Sequence, residues 1–324
     1  MKSKLENYTF SKQEIKILKE IVSENHILSS LRKSLSIKPS LLSHYIKRLQ
    51  NKNIVKLQKR SFPSIQKSEK FKKYVYFSDS KHALSLRELL LTYNHIEWED
   101  ILSGLGIEVL FQILAGYKIT FESFSSVTFW RYSKNFMARG LVEYESDVFR
   151  ITSRFSILVD FLKEYQQFII GNVVKSLSES AVTLWQKDLE CLIRIPKNLE
   201  VTQRGFQKTA TSRLPDFGIQ LLSDFDVYFY SRRKKIVRIE DIILHTLLVE
   251  RDNIRYVTYS LLLLKKELRK IDKGYLLKEA AWLDLGLQIN AMFQFLETKG
   301  TRKGLTLPTW TGFMAKAKDY GVLI

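Results

Sequence analysis

Along the first fifty residues the apolar positions keep a helical period, and after that they alternate. Phe10-Ser-Lys-Gln-Glu14 sets a Ser three residues before a Glu, the reciprocal capping arrangement that satisfies free N–H groups at a helix start. It predicts a helix opening at Ser11, with Ile15, Leu18, Ile21 and Val22 forming one buried stripe through about Ser23. A second short helix is predicted from Leu28 to Leu35, with Leu28, Leu31 and Leu35 inward. Pro39 suits the first position of a third helix, because the N–H it lacks would be unpaired there anyway. That helix runs to about Asn51. Leu42, Tyr45, Ile46 and Leu49 fall on its inner face, and Ser40, Ser43, His44 and Lys47 on its outer face. Ile54 to Arg60 and Lys73 to Phe77 then read as two alternating strands, joined by a loop, 61–72, carrying Pro63, Lys67, Lys70 and Lys72.

A related pattern recurs after a connecting helix from Ser80 to Asn94. Aligning Lys52-Asn-Ile-Val55 with Arg139-Gly-Leu-Val142 lays Phe124 to Ala138 over the third helix, with Val127, Trp130, Arg131 and Lys134 at the outer positions. A hairpin from Val142 to Thr152 follows, with Ser146-Asp147 as its turn. Its Glu143, Glu145 and Asp147 would repel a phosphate backbone, which favours a scaffolding or dimer role over a second DNA reader. From Ser156, the rhythm of Leu158, Phe161, Leu162, Tyr165, Phe168 and Ile169 predicts a long helix, either a spine between domains or a dimer helix. Beyond Ser180 the texture is mixed. Short strands are expected at Leu189–Ile195, Leu199–Thr202, Gly218–Leu222 and Val227–Tyr230. Helices follow at Ile239–Glu250, Tyr256–Leu268, Leu276–Leu285 and Leu287–Leu296.

Charge sharpens this picture. The 324 residues carry 52 Lys and Arg against 34 Asp and Glu, a net charge of +18 that attracts polyanions. From Met1 to Ser80 the count is 18 against 6, a net of +12, and from Lys81 to Ile170 it is 9 against 11. The excess therefore sits mostly in the first quarter of the chain and marks that module as the polyanion-binding part. Length and an apolar content of 45% fit two or three packed domains. The single cysteine, Cys191, excludes an internal disulfide, and the five histidines have no ligand spacing, so no cofactor and no metal are expected. The opening Met1-Lys-Ser-Lys-Leu-Glu6 has no apolar signal core and no 18-residue uncharged apolar run occurs; a cytoplasmic protein that avoids membranes is expected.

Three helices followed by a basic hairpin describe a winged helix-turn-helix. The stretch Leu35-Ser-Ile-Lys-Pro-Ser-Leu-Leu-Ser-His-Tyr-Ile-Lys-Arg-Leu-Gln-Asn-Lys-Asn-Ile-Val55 resembles the recognition-helix region of MarR-like winged-helix transcription regulators. The resemblance implies a third helix that enters the major groove and a wing that lies along a phosphate strand or in the minor groove. Ser40, Ser43, His44 and Lys47 are then the expected base-side contacts, and Arg48 a further DNA-binding residue. Lys56, Lys59, Arg60, Lys67, Lys70, Lys72 and Lys73 would meet phosphates and supply affinity without sequence preference.

In the C-terminal part, Ile239-Glu-Asp-Ile-Ile-Leu-His-Thr-Leu-Leu248 with Arg255 resembles AbiE-type antitoxins and nucleotidyltransferase-like proteins. Such antitoxins are implied to repress their own operons. Nucleotidyltransferases of this kind use a Gly-Ser turn, a D-x-D strand and a third carboxylate to hold magnesium and a triphosphate. Here Asp224 and Asp226 stand two apart, but Thr211-Ser212-Arg213 lacks the glycine, and only Glu240 and Asp241 offer a third carboxylate. The expected architecture is mainly α with small β wings: tandem winged helix-turn-helix units over residues 1–80 and 81–175, then an α+β C-terminal domain over 176–324. The expected function is sequence-specific binding of double-stranded DNA for transcriptional control, as an antitoxin-like autorepressor, with a homodimer and a protein partner for the C-terminal domain as further expectations. The alternatives are a nucleotidyltransferase-like enzyme using Asp224 and Asp226, and a replication or partition initiator.

Overall fold

A computed structural model describes residues 8–22, 26–60, 72–116, 126–232, 236–300 and 306–323. The chain is mainly helical with small antiparallel sheets, and it divides into two compact units, Met1–Asn172 and Val173–Ile324. Among the described residues no helix is long and apolar enough to cross a membrane.

The first unit opens with α1 (Lys12–Ile21), whose capping box forms in full: the Ser11 side chain accepts from the Glu14 N–H, and the Glu14 carboxylate accepts from the Ser11 N–H at 2.7 Å. Next come β1 (His26–Ile27), α2 (Leu28–Ser34) and α3 (Pro39–Asn51), with Pro39 at the start of α3 and Leu42, Ile46 and Leu49 on its buried stripe. The hairpin β2 (Val55–Arg60) and β3 (Lys72–Phe77) pairs Val55 with Phe77 and Lys59 with Lys73. The two-residue β1 adds to β3 and makes the sheet three-stranded, in the order β1-β3-β2. Two residues leave no alternation to read, so β1 had no signature in the pattern.

Further along lie α4 (Lys81–Thr92), α5 (Trp98–Ile101), α6 (Leu105–Leu114) and α7 (Ser126–Ala138). The hairpin β4 (Val142–Glu145) and β5 (Val148–Ile151) turns at Ser146 and Asp147, both at positive φ, 51° and 62°, as a primed two-residue turn requires. The helix α8 (Ser156–Leu177) follows. These elements share one core across the expected 80/81 boundary. Phe10 is 1% exposed, its ring lies 5.4 Å from Tyr165 and 6.5 Å from Phe161 of α8, and the Tyr165 hydroxyl donates to the Tyr8 carbonyl at 2.6 Å. The Gly104 N–H donates to the Phe10 carbonyl at 2.8 Å. Leu158, Phe161, Leu162 and Tyr165 are thus buried by their own chain, while Asp160, Lys163 and Gln167 face outward.

The second unit carries a four-stranded antiparallel sheet in the order β6-β7-β9-β8, from β6 (Val182–Lys187), β7 (Glu190–Pro196), β8 (Phe206–Lys208) and β9 (Phe225–Tyr230). A 3-10 helix, Ala210–Phe217, joins β8 to β9, and five helices follow: α9 (Ile239–Val249), α10 (Ile254–Lys266), α11 (Lys273–Trp282), α12 (Gly286–Thr298) and α13 (Trp310–Asp319). Leu192, Val227 and Phe229 from one sheet face join Leu214, Ile243, Leu247, Leu261 and Phe295 in a single apolar core. The strands expected at 199–202 and 218–222 do not form. Gly218, at φ 72°, is the left-handed cap of the 3-10 helix, so the chain turns there instead of extending.

Candidate nucleic-acid interface

The helix α3 presents Ser40, Ser43, His44 and Lys47 as one exposed face, because its other face buries Leu42, Ile46 and Leu49 to 2% exposure or less. A short turn at Leu35–Lys38, with Ser36 at φ 52°, separates it from α2. The hairpin packs beside α3 through β2, buries Val55, Val75 and Phe77, and carries exposed Lys59, Lys72 and Lys73. Next to the segment that joins the strands, the register sets Lys59 opposite Lys73 and Arg60 opposite Lys72. Like charges directly across a ladder repel, so the exposed Lys59 and Lys73 favour an anion laid against this part of the hairpin. Lys56 is half-buried and already paired with Asp79. Lys67 and Lys70 lie outside the described residues, as does the side chain of Arg60.

Arg48, expected among the DNA-binding residues, turns inward. Its guanidinium turns to Glu14 at 3.3 Å, and the side chain is 24% exposed. The physical reason is helical angle: Arg48 and Lys52, four apart, share a stripe that looks at α1, about 100° round from Lys47. Lys52, missed in the sequence, is 3% exposed and donates to the wholly buried Glu14 at 2.7 Å, with its ammonium 5.3 Å from the centre of the Phe10 ring. Burial pulls the Lys52 pKa down from the ordinary lysine value, and Glu14 opposes the shift. The Lys52 carbonyl is held in turn by the His82 ring at 2.9 Å, and burial lowers the His82 pKa as well. No local motif announces this cluster, since Glu14 already has a complete role as a capping residue.

In the second unit Asp226, Glu240 and Asp241 each have a partner. Asp226, buried on β9, pairs with Lys208 at 2.9 Å, and Asp224 is exposed in the bend just before the strand, so the two do not sit as a pair on it. Glu240 accepts from the Asp272 N–H at 2.7 Å, and Asp241 caps α9 by accepting from the Arg238 N–H at 2.9 Å. The Ser212 hydroxyl accepts from the Val227 N–H at 2.7 Å, tying the 3-10 helix to β9, and Thr211 is buried. His245 is buried against the Phe229 ring and bonds the Thr209 hydroxyl at 2.8 Å. Among the described residues no three His, Cys, Asp or Glu side chains come together as a metal site needs. Cys191 is buried, which lifts its thiol pKa to about 12.

The helix α7 and the β4–β5 hairpin repeat the helix-then-hairpin order of α3 and β2–β3, with a different surface. Val127, Arg131 and Lys134 are exposed, while Trp130 packs edge-on against Tyr144 and Phe149, at 5.8 and 5.4 Å. Glu143 faces Arg150 across the hairpin, and Glu145 and Asp147 remain exposed beside it.

A family model described as HVO_2833_C, C-terminal, matches residues 203–322, which run from just before β8 to just past α13. The match covers less than half the chain and lies in the second unit. No curated protein and no solved structure matches the chain.

Proposed function

We propose that the first unit is a winged helix-turn-helix reader of double-stranded DNA, with α3 as its recognition helix and β2–β3 as its wing, and that the protein regulates transcription in the manner of an autorepressing antitoxin. The observation that carries this reading is the pairing of two surfaces: an exposed polar face of Ser40, Ser43, His44 and Lys47, and beside it a hairpin that sets exposed Lys59 opposite exposed Lys73. Hydroxyl, imidazole and ammonium groups bond base edges, and lysine pairs with guanine O6 and N7. The hairpin cations would gain counterion release and lose their mutual repulsion on meeting phosphates. The tandem unit built on α7 serves as scaffold in this reading, because Glu143, Glu145 and Asp147 put anions where its wing would meet a backbone.

Selection from a randomised duplex library tests it. The full-length protein is expected to enrich one sequence family, and Lys47→Ala to lose that enrichment while still retaining duplex at low salt. Absence of enrichment by the wild-type chain, or retention of RNA alone, overturns the proposal.

A further inference from the structure

We propose that Glu14 is the positioning residue of this interface: by holding Lys52 and Arg48 it sets the angle at which α3 is presented, and with it the choice of DNA sequence. The proposal rests on the reading of α3 as a recognition helix. The apolar contacts of Leu42, Ile46 and Leu49 bury that helix but are non-directional, and they tolerate a small roll or tilt. Directional bonds to α3 side chains converge on its C-terminal end. The Glu14 carboxylate is wholly buried and takes the Lys52 ammonium on one oxygen at 2.7 Å. Its other oxygen takes the Ser11 N–H at 2.7 Å and stands 3.3 Å from the Arg48 guanidinium. Charge-assisted hydrogen bonds of this kind fix geometry more tightly than packing does.

The carboxylate is itself held on the aromatic core. Phe10, next to the capping Ser11, is stacked on Tyr165, and the His82 ring grips the Lys52 carbonyl at 2.9 Å. The far end of α3 has no such anchor: its N-cap, Lys38, makes no side-chain capping bond, and Ser40, Ser43 and His44 are exposed. At 1.5 Å per residue, Ser40 lies about 18 Å along the axis from Lys52. A tilt of about 10° about that end would move Ser40 by roughly 3 Å, the whole length of a hydrogen bond. Phosphate contacts from flexible lysines survive such a shift, whereas base-edge contacts do not. The cluster therefore governs discrimination and leaves the electrostatic part of binding alone.

Buried ion pairs replaced by apolar groups of similar size often keep or gain stability, which allows orientation to be tested apart from folding. Glu14→Leu/Lys52→Met is compared with wild type by thermal unfolding and by binding to the selected duplex and a random duplex over a salt series. The expected result is a folded protein with an unchanged salt slope and a selected-over-random affinity ratio at least tenfold lower. Glu14→Gln is measured beside it and is expected to show the same loss, so the outcome does not hang on the double variant folding. Lys52→Arg, which keeps the pair, is expected to keep the ratio. A wild-type ratio in either of the first two variants, or a ratio that falls only together with the salt slope, overturns the positioning role. A wild-type protein that prefers no duplex overturns instead the reading on which it rests.

Discussion

Replacing Lys59 and Lys73 together by Gln tests the hairpin in two opposed directions. The two residues are exposed and directly opposite in the β2–β3 register, so in the free protein their charges repel. Removing that repulsion is expected to leave the free protein equally stable or more stable by a few tenths of a kcal/mol. Bound to DNA, each ammonium that neutralises a phosphate contributes about −0.9 to the slope of log K against log salt. Losing two flattens the slope by about 1.8, which at 0.15 M salt is an affinity loss of roughly thirtyfold that closes as salt approaches 1 M. Fluorescence anisotropy with a labelled duplex at five salt concentrations gives the slope, and urea unfolding gives the stability. The loss should be equal for selected and random duplexes, because these side chains hold without reading. An unchanged slope, or a variant that is clearly less stable, would refute the argument.

Lys47→Ala is expected to weaken binding to the selected duplex by about 1–3 kcal/mol and to spare random DNA, as read from the same titrations. The pH dependence of stability should carry the mark of His82. Its folded-state pKa lies below the ordinary 6.5 because of burial, with the Lys52 carbonyl and Glu164 opposing the shift. Between that lowered value and about 6.5 the unfolded chain binds more protons than the folded one, so this contribution is present in full above the window and lost as pH falls through it. Urea midpoints from pH 5 to 8 are expected to flatten in His82→Gln; an equally steep profile would assign the dependence to another group. A truncation to residues 1–80 strips Phe10 of Tyr165 and Phe161, a loss comparable to the roughly 3–5 kcal/mol of a buried Phe→Ala change, and is expected to be largely unfolded by circular dichroism.

The local parts of the fold were legible because their signals are local. The Ser11–Glu14 capping box, the Pro39 start of α3, the β2–β3 alternation and the Ser146–Asp147 turn each state a backbone requirement within a few residues, and each sits within a residue or two of its expected place. The exposed face of α3 followed from periodicity alone. The parts that were missed answer to distant partners. Strand β8 is three residues long and exists by pairing with β9, β6 by pairing with β7, and α13 by packing Trp310 and Phe313 against Phe295 of α12. In Val182-Thr-Leu-Trp-Gln-Lys187 neither face is purely apolar, so alternation could not distinguish a strand there.

The candidate interface shows the same limit at single residues. Lys47 and Arg48 are neighbours and both cationic, and nothing in the local pattern separates them, yet one is exposed and the other turns back to Glu14. What separates them is α1, some thirty residues upstream, which places a buried carboxylate 100° round the helix from the reading face. A buried carboxylate without a cation would be costly, so Lys52 and Arg48 are drawn inward whatever their value to a polyanion outside. The Phe10 ring beside them is packed by Tyr165, so residues more than 150 positions apart fix which cations of the basic quarter stay exposed. A count of basic residues by segment therefore overstates the cations free to meet a polyanion: of the 18 Lys and Arg in the first eighty residues, Lys52 and Arg48 are held by Glu14 and Lys56 by Asp79.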